Sequence, residues 1–290
     1  MNKKGLSWGI ILILGSMLVF PNTINLVNAQ SLGANDSIRN VTALSNSFGN
    51  GTEVELQNST IHYYEDADGY LVFPVGQGNN TSKLPAVIMI HENKGLNEYI
   101  KNMANLLARQ GYVVLAADLF KGEVSVDPND TKRMVQSVRN NPEHAISNLQ
   151  TAVKYVSSLP NVDSSKIASI GWCFGGGQSL QLALNSQNHP LAATILYYGT
   201  PLVTDKGNLS KINWPVLGIF GDQDRGIPVE KVNQFRAALE EDGITNEIHI
   251  YPGVGHAFAN PSGANYAPKE TQDAWQTTLS FLKTHLSHAK

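Results

Sequence analysis

The sequence predicts an α/β fold: a mainly parallel sheet flanked by helices on both faces, with a β-hairpin at its N-terminal end. Three observations predict it. From Leu84 onward, short apolar runs alternate with longer amphipathic segments, which is the pattern of buried strands and their covering helices. Before them, residues 53–74 alternate in polarity around Asp68-Gly69, a hairpin signal. Finally, 42% of the 290 residues are hydrophobic, enough to build a sizeable core without covalent staples.

In chain order, residues 1–29 have the form of a signal peptide. Lys3 and Lys4 precede an apolar run from Leu6 to Phe20, and Val27-Asn28-Ala29 offers a small-residue cleavage site before Gln30. The run is shorter than the roughly 20 residues that span a bilayer. The expectation is therefore an exported chain, secreted or at the cell surface, with no stable membrane span once cleaved. An uncleaved N-terminal anchor is the alternative. Residues 30–50 are rich in Ser, Asn and Gly and read as a flexible linker. Residues 51–290 form the expected domain. Asn-x-Ser/Thr sequons at Asn35, Asn40, Asn58 and Asn80 matter only if the host glycosylates exported proteins.

Within the domain, the hairpin strands are Ile61–Tyr64 and Tyr70–Phe73. The apolar runs are Ala86–Ile90, Tyr112–Ala116, Ile167–Ile170, Ala193–Tyr197 and Val216–Phe220, followed by Asn246–Tyr251. Helices are expected over Asn97–Gln110, Pro142–Leu159, Gly176–Asn185, Val229–Asp242 and Lys269–Leu286. The first carries Ile100, Met103, Ala104, Leu107 and Ala108 on one face and stops at Gly111. Patterning lapses over Leu119–Asn141 and Tyr197–Lys211. These segments read either as pocket walls or as ordinary surface loops.

The chemistry gathers around Gly171-Trp172-Cys173-Phe174-Gly175, which follows an apolar strand and opens a helix. The spacing G-x-C-x-G is that of the nucleophile elbow of α/β-hydrolases, with a thiol in place of the hydroxyl. Cys173 is the only cysteine, so the chain makes no intramolecular disulfide. A free thiol in an exported protein needs a reason, and catalysis supplies one. A nucleophile needs a base and an orienting acid. Gly221-Asp222-Gln223-Asp224 follows the strand ending at Phe220, and Gly255-His256 follows the strand ending at Tyr251. The order nucleophile, acid, histidine is the α/β-hydrolase order. The register Gly221 to Pro228 favours Asp224 as the acid and leaves Asp222 to support the loop.

In this scheme His256 takes the thiol proton and Asp224 holds the imidazole tautomer. The Phe174 N–H, at a helix N-terminus, faces the developing oxyanion, and a second donor comes from the loop after Ala86–Ile90. That loop holds Glu92, which reads either as a carboxylate beside Cys173 or as a solvated loop acid or partner for Lys94. His91 reads as a structural hydrogen-bonder, with a second base as the alternative. No cluster has metal-ligand spacing, no cofactor is implied, and a net charge of −3 gives no field for nucleic acid.

On these residues the chain resembles the dienelactone hydrolase family, α/β-hydrolases with a cysteine nucleophile. The match runs from about Tyr64 to Leu286. It includes His91-Glu92-x-x-Gly95-Leu96-Asn97, Gly111 to Phe120, Gly-Trp-Cys-Phe-Gly-Gly, Gly221 to Pro228 and Gly255-His256-Ala257-Phe258. The resemblance implies a hydrolase that opens a lactone or activated ester through a thioacyl-enzyme, with Cys173, Asp224 and His256 as its triad. It implies that Glu92 interacts with the resting thiol and gates its ionisation, and that the N–H groups of Asn93 and Phe174 bind the oxyanion. Two positions bear on the substrate. Neutral Asn260 stands where dienelactone-specific members carry a carboxylate-binding arginine, and Arg133 is a possible counterpart of a second arginine. Losing such a clamp weakens selection for anionic substrates. The partner expected is thus a small ester or lactone. The alternatives are a thiol-dependent peptidase or acyltransferase of the same fold, a binding protein with a retained triad, and a redox-sensing thiol.

Overall fold

The computed structural model describes residues 54–78 and 82–286. The expected signal peptide and linker, and the sequons at Asn35, Asn40 and Asn80, lie outside the described residues. Asn58 lies exposed on the first strand.

Eight strands form one sheet in the order β1-β2-β4-β3-β5-β6-β7-β8. Strands β1 (Leu56–Tyr64) and β2 (Ala67–Pro74) make the hairpin. Its turn is Glu65-Asp66, not Asp68-Gly69: Asp68 pairs with His62 and Gly69 with Ile61 inside the ladder. The reason is packing. A Cβ on Gly69 would lie 2.7 Å from Leu115 Cδ1, so this glycine admits a neighbouring strand instead of bending the chain.

Strand β2 pairs antiparallel with β4 (Val113–Ala117). All later pairings are parallel, through β3 (Leu84–Ile90), β5 (Val162–Trp172), β6 (Ala193–Tyr197), β7 (Val216–Gly221) and β8 (Asn246–Tyr251). Every residue of β4, β6 and β7 is buried. Helices cover both faces, so these strands read as unbroken apolar runs rather than alternations. Strand β8, at the sheet edge, buries only Tyr251.

Helix α1 (Glu98–Ala108) buries Ile100, Met103, Ala104, Leu107 and Ala108, the face expected from the sequence. Asn97 caps it, accepting from the Ile100 N–H at 3.2 Å, a bond of the kind that contributes about 1 kcal/mol. Helix α2 (Pro128–Asn140) lies in a stretch where no helix was expected. It begins where Asp127 accepts from the N–H groups of Asn129 and Asp130, with Pro128 at the first position. Only Thr131, Met134 and Val138 are buried. That stripe is too narrow to stand out as periodicity, though the cap signals are present. Helices α3 (Pro142–Ser157), α4 (Phe174–Leu184), α6 (Val229–Glu241) and α7 (Pro268–Leu286) fall near their expected positions, and α5 is one turn, Lys206–Leu209. Among the described residues, no helix is long and apolar enough to cross a membrane.

Candidate active site

The parallel strands end at one edge of the sheet, where ligands of open α/β sheets gather. The elbow stands at the end of β5. Cys173 has φ 55°, ψ −118°, a conformation that costs a non-glycine residue about 1–3 kcal/mol. Its N–H bonds the Tyr197 carbonyl at 3.0 Å. The flanking glycines answer to two different contacts. A Cβ on Gly171 would lie 2.1 Å from the Gly175 carbonyl oxygen, and one on Gly175 would lie 2.4 Å from the oxygens of both Ile90 and His91. The first lets the turn close on itself, and the second lets α4 press against the end of β3.

Beside the thiol stands His256, on the loop after β8. Its Nε2 lies 3.0 Å from Cys173 Sγ, and its Nδ1 lies 2.7 Å from Asp224 Oδ2. The other oxygen of Asp224 accepts from the N–H groups of Gly226 and Ile227 at 2.8 and 3.2 Å. Asp222 is exposed and accepts instead from the Gly253 N–H at 2.7 Å, joining the two loops. Burial pushes Asp224 up, but the His256 hydrogen bond and charge, with the two backbone donors, hold it below the usual carboxylate range. Burial likewise disfavours charge on His256, yet Asp224 and Cys173 outweigh it and raise its pKa to about 10. Such a chain can draw a proton from sulfur and return it to a leaving group.

On the loop after β3, the Gly95 N–H bonds the Glu92 carbonyl at 3.3 Å. This closes a turn with Asn93 at its second position. The Phe174 N–H is one of the first donors of α4, which have no acceptor within the helix. His91 is fully buried; its Nε2 accepts from the Leu119 N–H at 3.0 Å, and its Nδ1 faces the Glu92 carbonyl at 2.6 Å. Its Nε2 also lies 3.5 Å from the buried Asp118 Oδ1, so His91 braces this loop against the end of β4.

Glu92 is 3% exposed. Its Oε2 accepts from Asn260 Nδ2 at 2.5 Å, while Oε1 has no hydrogen-bond partner. Burial raises its carboxyl above the ordinary value, against the opposing effects of Asn260, Lys94, His256 and His91. Tyr198, directly after β6, is fully buried with φ 37°. Its ring centre lies 5.2 Å from that of His256 and 5.7 Å from that of Phe258, and its hydroxyl is unpartnered. Burial, followed by the charge of Glu92, drives its pKa far up. Four non-glycine residues among those described have positive φ, and Cys173, Tyr198 and Ala257 all lie in this cluster. A separate groove of about 490 Å³, whose lining includes Thr60, His62, Asp68, Leu96 and Lys121, contains neither the thiol nor His256.

The family model for the "Dienelactone hydrolase family" matches residues 67–286. The chain belongs to that family. A protein of Saccharolobus solfataricus assigned as a carboxymethylenebutenolidase is 30% identical over 76% of this chain and 96% of its own. One from Escherichia coli with the same assignment is 31% identical over 70% of this chain and 78% of its own. A crystal structure from Klebsiella pneumoniae subsp. pneumoniae, assigned as a dienelactone hydrolase, superposes with TM-score 0.67. It is 25% identical and covers 80% of this chain and 99% of that one.

As a hydrolase of the dienelactone hydrolase family, the chain differs from the sequence expectation at three residues. Asn260, expected to meet substrate, is 3% exposed, and both ends of its amide are engaged: Nδ2 donates to Glu92, and Oδ1 accepts from Ser262 N–H and Oγ at 2.9 and 2.8 Å. Glu92 consequently has Asn260 as its partner where the family resemblance implied the thiol. Arg133 stands on α2, 56% exposed, with its guanidinium on Glu123 at 2.6 and 3.3 Å and near Asp130 at 3.6 Å. Its fork is filled by neighbours rather than open to a ligand. Tyr198 fell within the Tyr197–Lys211 segment read as pocket wall or surface loop without being singled out, and the Asn260–Glu92 bond, which spans 168 residues, left no local signal.

Proposed function

We propose that the protein hydrolyses small carboxylic esters or lactones through a thioacyl-enzyme on Cys173. The observation that supports it is the continuous path from Cys173 Sγ through His256 to Asp224, at 3.0 and 2.7 Å. Cys173 gives its proton to His256 Nε2, and sulfur attacks the acyl carbon. The carbonyl electron pair moves onto oxygen, where the Asn93 and Phe174 N–H groups stabilise it. The tetrahedral species then expels the alkoxide, which takes the proton from His256 Nε2. Next, water loses a proton to His256 while attacking the thioester, and collapse releases the acid and restores the thiol pair.

The names of the relatives support this substrate class, and neutral, engaged Asn260 favours substrates whose acyl part carries no charge. The test is a panel of p-nitrophenyl acetate, an uncharged lactone, a carboxylate-bearing lactone and a peptide, with acyl trapping read by mass. Expected are turnover of the uncharged ester and lactone and an acyl adduct on Cys173. Cys173→Ala and His256→Ala should each abolish turnover without unfolding, and the double variant should lose little more, because the residues act as a unit. Near-normal rates in either single variant would sink the proposal.

A further inference from the structure

We infer that Asn260, locked in place by Ser262, tethers Glu92 away from Cys173, so that the resting thiol pairs with His256 and not with the glutamate. The inference rests on the thiol chemistry proposed above and makes Asn260 a positioning residue. The orientation of its amide follows from chemistry alone. The Ser262 backbone N–H can only donate, at 2.9 Å, so the atom facing it is the amide oxygen. The NH2 end must then face Glu92, whose Oε2 lies 2.5 Å away. Ser262 Oγ lies on the same amide oxygen at 2.8 Å, so two bonds resist a flip that would set oxygen against the carboxylate.

The tether takes one carboxylate oxygen and leaves the other free. Around Glu92 stand His91 and Lys94 on its own loop, Tyr99 from α1, Tyr198 after β6 and His256 after β8. Tyr99 is committed elsewhere, since its hydroxyl donates to the Ala259 carbonyl at 3.1 Å. His91 is committed to the backbone. Cys173 is faced by His256 at 3.0 Å and by Tyr198. Without Asn260, Glu92 would lose its donor in a buried setting where an unpaired carboxylate is costly. The donors near it are then Lys94 on its own loop, the Tyr198 hydroxyl and, on the far side of Tyr198, the Cys173 thiol. A thiol proton shared with Glu92 is one withheld from His256, and a carboxylate beside sulfur opposes the thiolate.

Because Cys173 is the only cysteine, whole-protein mass reports its alkylation by iodoacetamide without any substrate. The full chain would be labelled at pH 6 and pH 9. Wild type should react readily at both. Asn260→Ala should slow labelling at pH 6 by about tenfold, the scale of one hydrogen bond to a charged group, and leave the rate at pH 9 within about twofold. Adding Glu92→Gln should restore the pH 6 rate, a rescue that mere loosening of the fold would not show. Wild-type labelling at pH 6 in Asn260→Ala, or a double variant as slow as the single, would overturn the inference. If Asn260→Ala does not fold, Ser262→Ala takes its place, with a smaller loss at pH 6 that Glu92→Gln again reverses; no loss would overturn it. Labelling that behaves as expected in a protein that cleaves no ester would sink the hydrolase reading and leave the tether standing.

Discussion

At the scale of the residue, His256 and Asp224 hold each other charged, and this has a pH signature. Asp224 lies below its ordinary value, so its contribution to stability is complete above the unfolded carboxylate value of about 4 and is lost as pH falls further. His256 is raised to about 10, so its contribution is complete below the unfolded imidazole value of about 6.5 and fades as pH rises toward 10. The pair should therefore support the fold most strongly at about pH 5–6. Asp224→Asn removes the charge but keeps an acceptor for Gly226 and Ile227. The melting temperature of this variant should fall furthest below wild type near pH 5–6, with the gap narrowing toward pH 10. Its turnover should drop by about 10²–10⁴, because the amide favours the wrong imidazole tautomer. A gap that is flat across pH would argue against the charged pair.

At the scale of the element, the contact between α4 and the end of β3 decides how the two proposed oxyanion donors meet. Gly175 touches the carbonyls of Ile90 and His91. Phe174 precedes it by one residue, and Asn93 follows His91 by two. A methyl at Gly175 must push the helix from the strand end. Gly175→Ala should cost about 1–3 kcal/mol of stability by overpacking, read by urea denaturation. Its activity at temperatures where the variant is fully folded should fall by more than tenfold. Full activity in a folded variant would show that the spacing is not critical. The elbow was legible in the sequence because G-x-C-x-G is a local requirement of backbone crowding. The hairpin turn was misread because Asp68-Gly69 has turn composition yet serves a close strand contact. Helix α2 was missed because three buried side chains make a faint stripe, and only its Asp127-Pro128 start marks it.

At the scale of the whole molecule, the parallel sheet was legible because its strands β4, β6 and β7 are buried from end to end. Cys173, Asp224 and His256 could be read together because each follows a strand expected from the sequence. The tether was not, because Asn260 and Glu92 meet only through the fold. Nor could composition show that Arg133 is engaged by Glu123. We propose that the chain is exported, which predicts a mature form beginning near Gln30. Intact mass and N-terminal sequencing of chain made in an exporting host test this; a form retaining Lys3 and Lys4 would contradict cleavage.

The candidate site takes its parts from loops after β3, β5, β6, β7 and β8, and its internal bonds span 32, 83 and 168 residues of chain. Contacts so distant in sequence form late, since each demands that a long loop be closed first. Helices and the hairpin can form while the thiol still lacks its histidine. Under the proposed mechanism, a newly made chain would carry its one sulfhydryl unguarded and inert toward esters until the far edge of the sheet had joined the near one.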